Sequence, residues 1–345
     1  MRNTLSKHWK RASLGGLMVG LVAVATGCGQ PAQHSSNSTG AASTTAARPV
    51  PLSVLYAGSM THVMEDVIRP NVDRALNVNF QGEGAGSAEL AHMITSKLAN
   101  PDVFISASPS VDVNDLMGPS NGNAARWYAT LATDELVIAY SPKSKEVKEF
   151  QQAAQGKIPW YQVLEMPGVR FGRTDPKLDP KGVNTILMMK LAEAYYHQPD
   201  LEKRILGSDE NPAQVFPEED LIAQLTSGQM DAVIAYKHEA IEWHVPYITL
   251  PAAINLGDPA LAKDYAKVSW TPSGGGKTIK GAPILFTITV LTHAPHPQQA
   301  AAFVRYMTVG EGHQILMRDG FTPTPIKFYG DVQSVPASLR SIAVR

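Results

Sequence analysis

The chain has 345 residues, 44% apolar and 18% charged, with a formal charge of −1 and one cysteine. That length accommodates two domains, and so ordinary a composition excludes a disordered or fibrous whole. No basic block suited to nucleic acid is present, so a polyanion partner is not expected.

The first residues read as a targeting segment. Arg2, Lys7, Lys10 and Arg11 make a positive start, and a small, apolar run follows from Ala12 to Ala25. The run falls short of the ~20 residues a spanning helix needs and fits the apolar region of a signal peptide. It ends "VATGCGQ", a small-small-Cys ending that marks a bacterial lipoprotein cleavage site. Residues 1–27 are therefore expected to be removed and Cys28 to be lipidated. The protein would then be exported and leashed to the periplasmic or other extracytoplasmic face of a bacterial membrane. Losing four positive charges and no acids takes the remainder from −1 to −5. With Cys28 lipidated, disulfides, zinc–thiolate sites and a cysteine nucleophile are excluded. Residues 28–49 are polar, small and rich in Ser, Thr, Ala and Pro, the composition of a flexible tether.

From Leu52 the pattern alternates strand and helix. "LSVLY" predicts a strand, and "THVMEDVI" a helix with Val63/Val67 and Met64/Ile68 at i,i+4 spacing. "NVNFQ" predicts a second strand. "AELAHMITSKLA" predicts a helix with Leu90, Ile94 and Leu98 on one face, and "DVFISAS" a third strand. "DELVIAYS", "DAVIAY" and "ILFTITVLT" are further strands. "NTILMMKLAEAYYH" and "PQQAAAFVRYMTVGEGHQILMRD" are helices, and "SGGGK" is a loop without the spacing of a phosphate-binding P-loop. Such alternation implies an α/β architecture with mainly parallel, doubly wound sheets.

Two loops put a serine where a helix should begin: Ser59 in "AGS" after the first strand, Ser87 in "GEGAGS" after the second. A serine there can cap the helix. Alternatively, helix N-termini at the carboxyl ends of strands are natural anion sites. Gly58, Gly84 and Gly86 would let an anion approach the backbone. "GEGAGS" is not a dinucleotide fingerprint, and "AGSMT" is not a nucleophile elbow. The ten histidines show no metal-ligand spacing; His238 and His244 stand six apart, and packed or solvated histidines are expected.

In "GRTDPKLDPKG", Gly172 to Gly182, each proline pushes the preceding Asp175 or Asp179 into extended or turn backbone. "DAVIAYKHEAIEWH" puts Tyr236, Lys237 and Glu239 at a strand end and a helix start, where Glu239 could simply cap the helix.

In order along the chain, "LYAGSM", "GEGAGSAELAHMI", "DVFISAS", "FGRTDPKLDPKG", "AYKHEAIEWH" and the closing "FTITVLTHAPHPQQAAAFVRYMTVGEGHQIL…GFTPTP" resemble the tungstate/molybdate-binding proteins of ABC importers, the subgroup best represented in archaea. The resemblance spans about Leu52 to Pro325. It implies a type II periplasmic binding protein fold, two doubly wound lobes joined by a hinge and closing on an oxyanion. Lobe I would comprise residues 50–130 and 246–345, and lobe II residues 131–245, with crossings near Leu131 and Pro246. The resemblance implies a receptor rather than an enzyme. It would be a monomer without a cofactor that delivers molybdate or tungstate to membrane permease subunits.

The same resemblance makes Ser59, Ser87 and Tyr236 ligand-binding residues. Asp179 and Glu239 would be oxygen ligands to the metal of the bound oxyanion. An ionised carboxylate repels a dianion unless it reaches the metal or carries a proton. Sulfur and phosphorus do not accept extra oxygen ligands, whereas molybdenum and tungsten do, so the acids would select against sulfate. Asp175 matches no ligand and is expected to close the turn. The chain departs from the family pattern at Thr133–Glu135 ("TDE"), Lys181 and His238. Rival readings are a sulfate or phosphate receptor, a ferric-iron receptor using the pair Tyr195-Tyr196, and a secreted hydrolase with Ser59 or Ser87 as nucleophile.

Overall fold

The computed structural model describes residues 48–342; the signal peptide, Cys28 and nearly all of the tether lie outside them. Twelve strands are formed among the described residues. In chain order they are β1 (Val50–Ala57), β2 (Val78–Ala85), β3 (Val103–Ser106), β4 (Trp127–Thr133), β5 (Leu136–Tyr140), β6 (Phe171–Gly172), β7 (Ala232–Tyr236), β8 (Tyr247–Thr249), β9 (Ser269–Trp270), β10 (Ile279–Lys280), β11 (Leu285–Val290) and β12 (Phe328–Gly330). They build a six-stranded sheet in the order β12-β4-β11-β3-β1-β2 and a four-stranded sheet in the order β6-β7-β5-β8. β9 and β10 form a separate ribbon.

Central strands are buried on both faces, which explains their unbroken apolar runs. On β3, Val103 and Ile105 join the main core while Phe104 faces a second cluster with Leu90 and Ile94. On β7, Ala232, Ile234 and Tyr236 join the main core. Val233 and Ala235 pack instead with Leu221 and Leu225 of the helix Glu218–Ser227. The main core runs through both sheets without a break.

Three expectations are corrected. Among the described strands parallel pairing joins only β1 with β2, β1 with β3, and β6 with β7, beside one isolated parallel bridge between Arg173 and Val215. β5 pairs antiparallel with β7 and β8, and β11 antiparallel with β3 and β4, so the sheets are mixed. The reason is local: the chain passes from β4 to β5 through Asp134 and Glu135 alone, with no crossover helix. Second, Leu131 lies within β4 of the larger sheet and β8 belongs to the smaller one, so both crossings fall later than 131 and 246. They run side by side, the Leu136 N–H donating to the Asn255 carbonyl at 2.9 Å. Third, the helix carrying Leu90 and Ile94 ends at Thr95. Lys97 turns left-handed and Leu98 is 79% exposed, so Leu98 leaves that face.

The Val63 segment is helical as expected, wound as a π-turn over Val63–Ile68 and continuing over Arg69–Leu76. The closing helix is two, Pro297–Val309 and Glu311–Arg318, broken at Gly310.

Candidate functional site

Asp179 is the N-cap of the long helix Pro180–Tyr196. Pro180 suits the first helical position, and it holds Asp179 extended, at φ −136° and ψ 129°. One carboxylate oxygen, Oδ1, accepts from the Lys181 N–H at 2.7 Å and from Thr174 Oγ1 at 3.2 Å. Asp175 closes the turn, its carboxylate accepting from the Lys177 N–H and its carbonyl from the N–H groups of Leu178 and Asp179. The loop is tight enough that a Cβ at Gly182 would lie 2.6 Å from the Thr174 carbonyl oxygen. Asp179 lines two cavities. One is of about 450 Å³ with Lys177, Asn184 and Trp270, the other of about 180 Å³ with Gly86, Thr174 and Glu218.

From the same helix the Lys181 side chain runs inward and is fully buried. Its ammonium lies 2.9 Å from both carboxylate oxygens of Glu239 and also pairs with Glu218 Oε1. Glu239 Oε2 in addition accepts the Tyr236 N–H at 2.6 Å. Glu239 therefore fulfils the helix-capping reading, and both of its oxygens are engaged by protein groups. Sequence reasoning found Lys181 only as a departure and missed Glu218. "PEED" looks like an ordinary acidic helix start, and nothing local announces that its first acid turns inward.

Burial sets the electrostatics of this cluster. It raises Glu218 to about 8, with repulsion from Glu239 adding to the shift and Lys181 opposing it. It raises Asp179 to about 6, with Glu218 again adding. Glu239 is also raised by burial, against the pull of Lys181. For Lys181 burial works the other way, but Glu218, Glu239 and Asp179 outweigh it and hold the ammonium charged. Tyr236 is raised well above its ordinary value by burial and then by Asp179 and Glu239, so it stays a neutral phenol that can donate. Its hydroxyl accepts from Asn184 Nδ2 at 3.4 Å.

The two serines approach from the larger sheet. Neither caps a helix with its side chain. Ser87 Oγ accepts the Ala107 N–H at 3.1 Å, which leaves its own proton to donate. Ser59 Oγ is buried without a hydrogen-bond partner, as is Glu218 Oε2. Buried polar atoms are nearly always paired, so an unpaired hydroxyl at a sheet's carboxyl end marks a place for an acceptor. Ser59 is tied to the smaller sheet's side through its carbonyl, 3.0 Å from His238 Nε2, while His238 Nδ1 pairs with Asp134. A Cβ added at Gly86, the residue before Ser87, would lie 3.4 Å from Asp179 Cβ. The loops that carry Ser59 and Ser87 thus adjoin the segments that carry Asp179 and His238.

The glycines let parts of the protein itself pack closely. A Cβ at Gly84 would meet Thr61 and Tyr56, one at Gly58 Glu218, and one at Gly86 the Leu178 carbonyl. That carbonyl accepts the N–H groups of Ala88 and Glu89, so two of the free donors of the helix Ser87–Thr95 are already occupied.

His238 is a packed histidine stacked on Phe321 at 3.8 Å. It meets the Ser59 carbonyl and not its hydroxyl, so the nucleophile–base contact of a hydrolase is not formed. Among the described residues no group of three His, Cys, Asp or Glu is placed to hold a metal ion. Tyr195 is 49% exposed and Tyr196 hydrogen-bonds Trp160, which gives the ferric-iron reading no support.

Residues 52–322 match the family model of the bacterial extracellular solute-binding proteins. The molybdate/tungstate-binding protein WtpA of Pyrococcus abyssi is 32% identical, over 80% of this chain and 86% of its own. Its namesake in Thermococcus kodakarensis is 30% identical, over 82% and 86%. The solved periplasmic molybdate-binding protein of Azotobacter vinelandii superposes with a TM-score of 0.52 at 16% identity, over 79% of this chain and 99% of that one. This likeness shows the fold, the two-lobed type II periplasmic binding architecture.

Proposed function

Because the chain belongs to the bacterial extracellular solute-binding proteins, we propose that it captures molybdate or tungstate between its two sheets and hands it to the membrane subunits of an ABC importer. The family is one of extracellular transporter components and not of enzymes. The observation that carries the choice of an oxyanion is the buried, unpartnered Ser59 hydroxyl, with the Ser87 hydroxyl free to donate in the neighbouring loop, whose Gly86 lies against Asp179. Two hydroxyl donors, a neutral phenol and an acid able to hold a proton suit a guest made of acceptor oxygens. What supports molybdate or tungstate in particular is the name of the relatives and the succession of motifs shared with that family.

A thermal-shift panel tests the reading. Binding only the folded protein raises the melting temperature, by an amount that grows with ligand concentration over Kd. Molybdate or tungstate should stabilise the protein at micromolar levels, and phosphate and ferric iron should not. A shift with ferric iron alone, or with none of the ions, would refute it. Lipid attachment at Cys28 forms part of the proposal. Wild-type protein should partition into detergent phase and Cys28→Ala into the aqueous phase; equal partitioning rules the anchor out.

A further inference from the structure

His238 is fully buried, and its ring is fixed from several directions. Phe321 stacks on it at 3.8 Å, Phe286 meets it edge-on at 5.8 Å, and its Nδ1 pairs with Asp134. Asp134 is itself held, its Oδ1 accepting the N–H groups of Glu135 at 2.7 Å and of Lys237 at 3.1 Å. The ring so oriented directs Nε2 at the Ser59 carbonyl, 3.0 Å away. A carbonyl only accepts, so Nε2 carries the hydrogen and donates it. The two partners belong to different halves of the molecule. Ser59 lies in the turn Gly58–Met60 after β1 of the larger sheet, and His238 in the helix Lys237–Glu242 after β7 of the smaller one. Asp134 is one of the two residues that join β4 to β5, and so one sheet to the other. Asp134 and His238, both departures from the family pattern, are thus partners in one contact. It ends on the residue whose own hydroxyl is buried without a partner.

We propose that His238 is a positioning residue for the ligand: oriented by Asp134, it clips the Ser59 carbonyl to the smaller sheet's side when the two halves close, and so aims the Ser59 hydroxyl at the bound oxyanion. The inference rests on the oxyanion reading given above and adds how one donor of that site is held. A hydrogen bond of 3.0 Å tolerates a stretch of only about 0.5 Å before its geometry fails. A rotation of one half away from the other that exceeds this parts His238 from Ser59. Clip and ligand each require the closed arrangement, so each stabilises the other. Ligand entering an open molecule does not meet the clip, whereas ligand leaving must break it. Its loss therefore speeds release and leaves association unchanged.

Calorimetry with tungstate and molybdate on the wild-type protein comes first; if neither binds, the oxyanion reading has failed and the proposal falls with it. Two substitutions then separate the clip from the packing. His238→Gln and His238→Asn both remove the ring and its stacking on Phe321. They differ in reach: the glutamine amide nitrogen stands as many bonds from Cα as Nε2, and the asparagine nitrogen only as many as Nδ1. His238→Gln should keep the tungstate Kd within about threefold of wild type. His238→Asn should weaken it about tenfold, as expected when a buried carbonyl loses its donor. Stopped-flow tryptophan fluorescence, with Trp270 lining the larger cavity, should place that loss in koff with kon unchanged. Equal Kd values for the two variants would overturn the proposal, and so would a loss carried by kon alone. Nuclear magnetic resonance of wild-type protein with isotope-labelled histidine reads the clip directly. The His238 Nε2–H should resist exchange with water in the tungstate complex and exchange readily in free protein. An unprotected proton in the complex overturns the clip whether or not either variant folds, and equal protection in both states overturns its link to closure.

Discussion

The loops of the two sheets approach closely at Gly86, and replacing it by alanine is a sharp test of closure around a ligand. Gly86 has φ −55° and ψ 129°, which any residue adopts, so alanine introduces no backbone strain. The new Cβ, however, would stand 2.4 Å from the Leu178 carbonyl oxygen, where real contacts stay above 3.0 Å. Leu178 must therefore retreat by at least ~0.6 Å, and a retreat of that size carries its carbonyl out of range of Ala88 and Glu89, now donating at 3.0 and 3.2 Å. Two backbone hydrogen bonds at about 0.5–1.5 kcal/mol each amount to a loss of ~1–3 kcal/mol for the closed form. If the ligand binds the closed form, that is a roughly 5- to 150-fold weaker Kd. An opened molecule does not feel the clash, so the ligand-free melting temperature should move by less than about 2 °C. Isothermal calorimetry with tungstate measures the first quantity and differential scanning calorimetry the second. A Kd within twofold of wild type would refute the claim that this contact belongs to the liganded state.

Three further outcomes are expected. Ser59→Ala and Ser87→Ala should each weaken oxyanion binding about tenfold, consistent with loss of one donor to a charged acceptor. Only Ser87→Ala should also lower the melting temperature, because only Ser87 Oγ satisfies a protein group, the Ala107 N–H; equal melting losses would contradict the assignment. Asp179 near 6 and Glu218 near 8 hold protons more readily than ordinary acids, and a neighbouring dianion must raise both further. Binding should thus take up protons and weaken as pH rises from 6 to 9. Calorimetry in buffers of different ionisation enthalpy would show no buffer dependence if this is wrong. Finally, Glu242 is pushed up to about 11 by burial and by the facing Asp319. Its folded value lies above its ordinary 4.5, so its favourable contribution is complete below that pH and is lost as pH climbs toward the folded value. Glu242→Gln should gain melting temperature over wild type at pH 9 and not at pH 5; parallel melting curves at the two pH values would refute this.

Much of the fold was legible because strand and helix periodicities are local. The apolar runs of β1, β3, β5, β7 and β11 and the helix after Asp179 all lie where the pattern put them. What periodicity could not decide was direction and partner. β5 lies antiparallel to β7 and β8 because the chain reaches it across two residues from another sheet, and no residue of β5 encodes that. Leu98 kept the helical spacing of Leu90 and Ile94, yet the helix stops at Thr95. Spacing says which residues would share a face, not how far the helix runs.

The candidate site divides in the same way. The sequence by itself determined the scaffold of each loop. Pro180 places Asp179 at a helix start, and small residues at 84–86 allow strand, turn and helix to follow in close order. The residues Ser59, Ser87, Tyr236 and Glu239 stand at strand ends, where an α/β fold puts its ligands. Only the tertiary structure decided what those residues meet. Asp179 and Glu239 look equivalent in sequence, a carboxylate each at a helix N-terminus. In three dimensions one borders two cavities and the other is held by Lys181, which reaches it across 58 positions of chain. Glu218, invisible as a site residue in "PEED", completes that cluster. Charge pairing in a buried site depends on side chains from separate elements desolvated together, and no spacing along a single chain records which will meet.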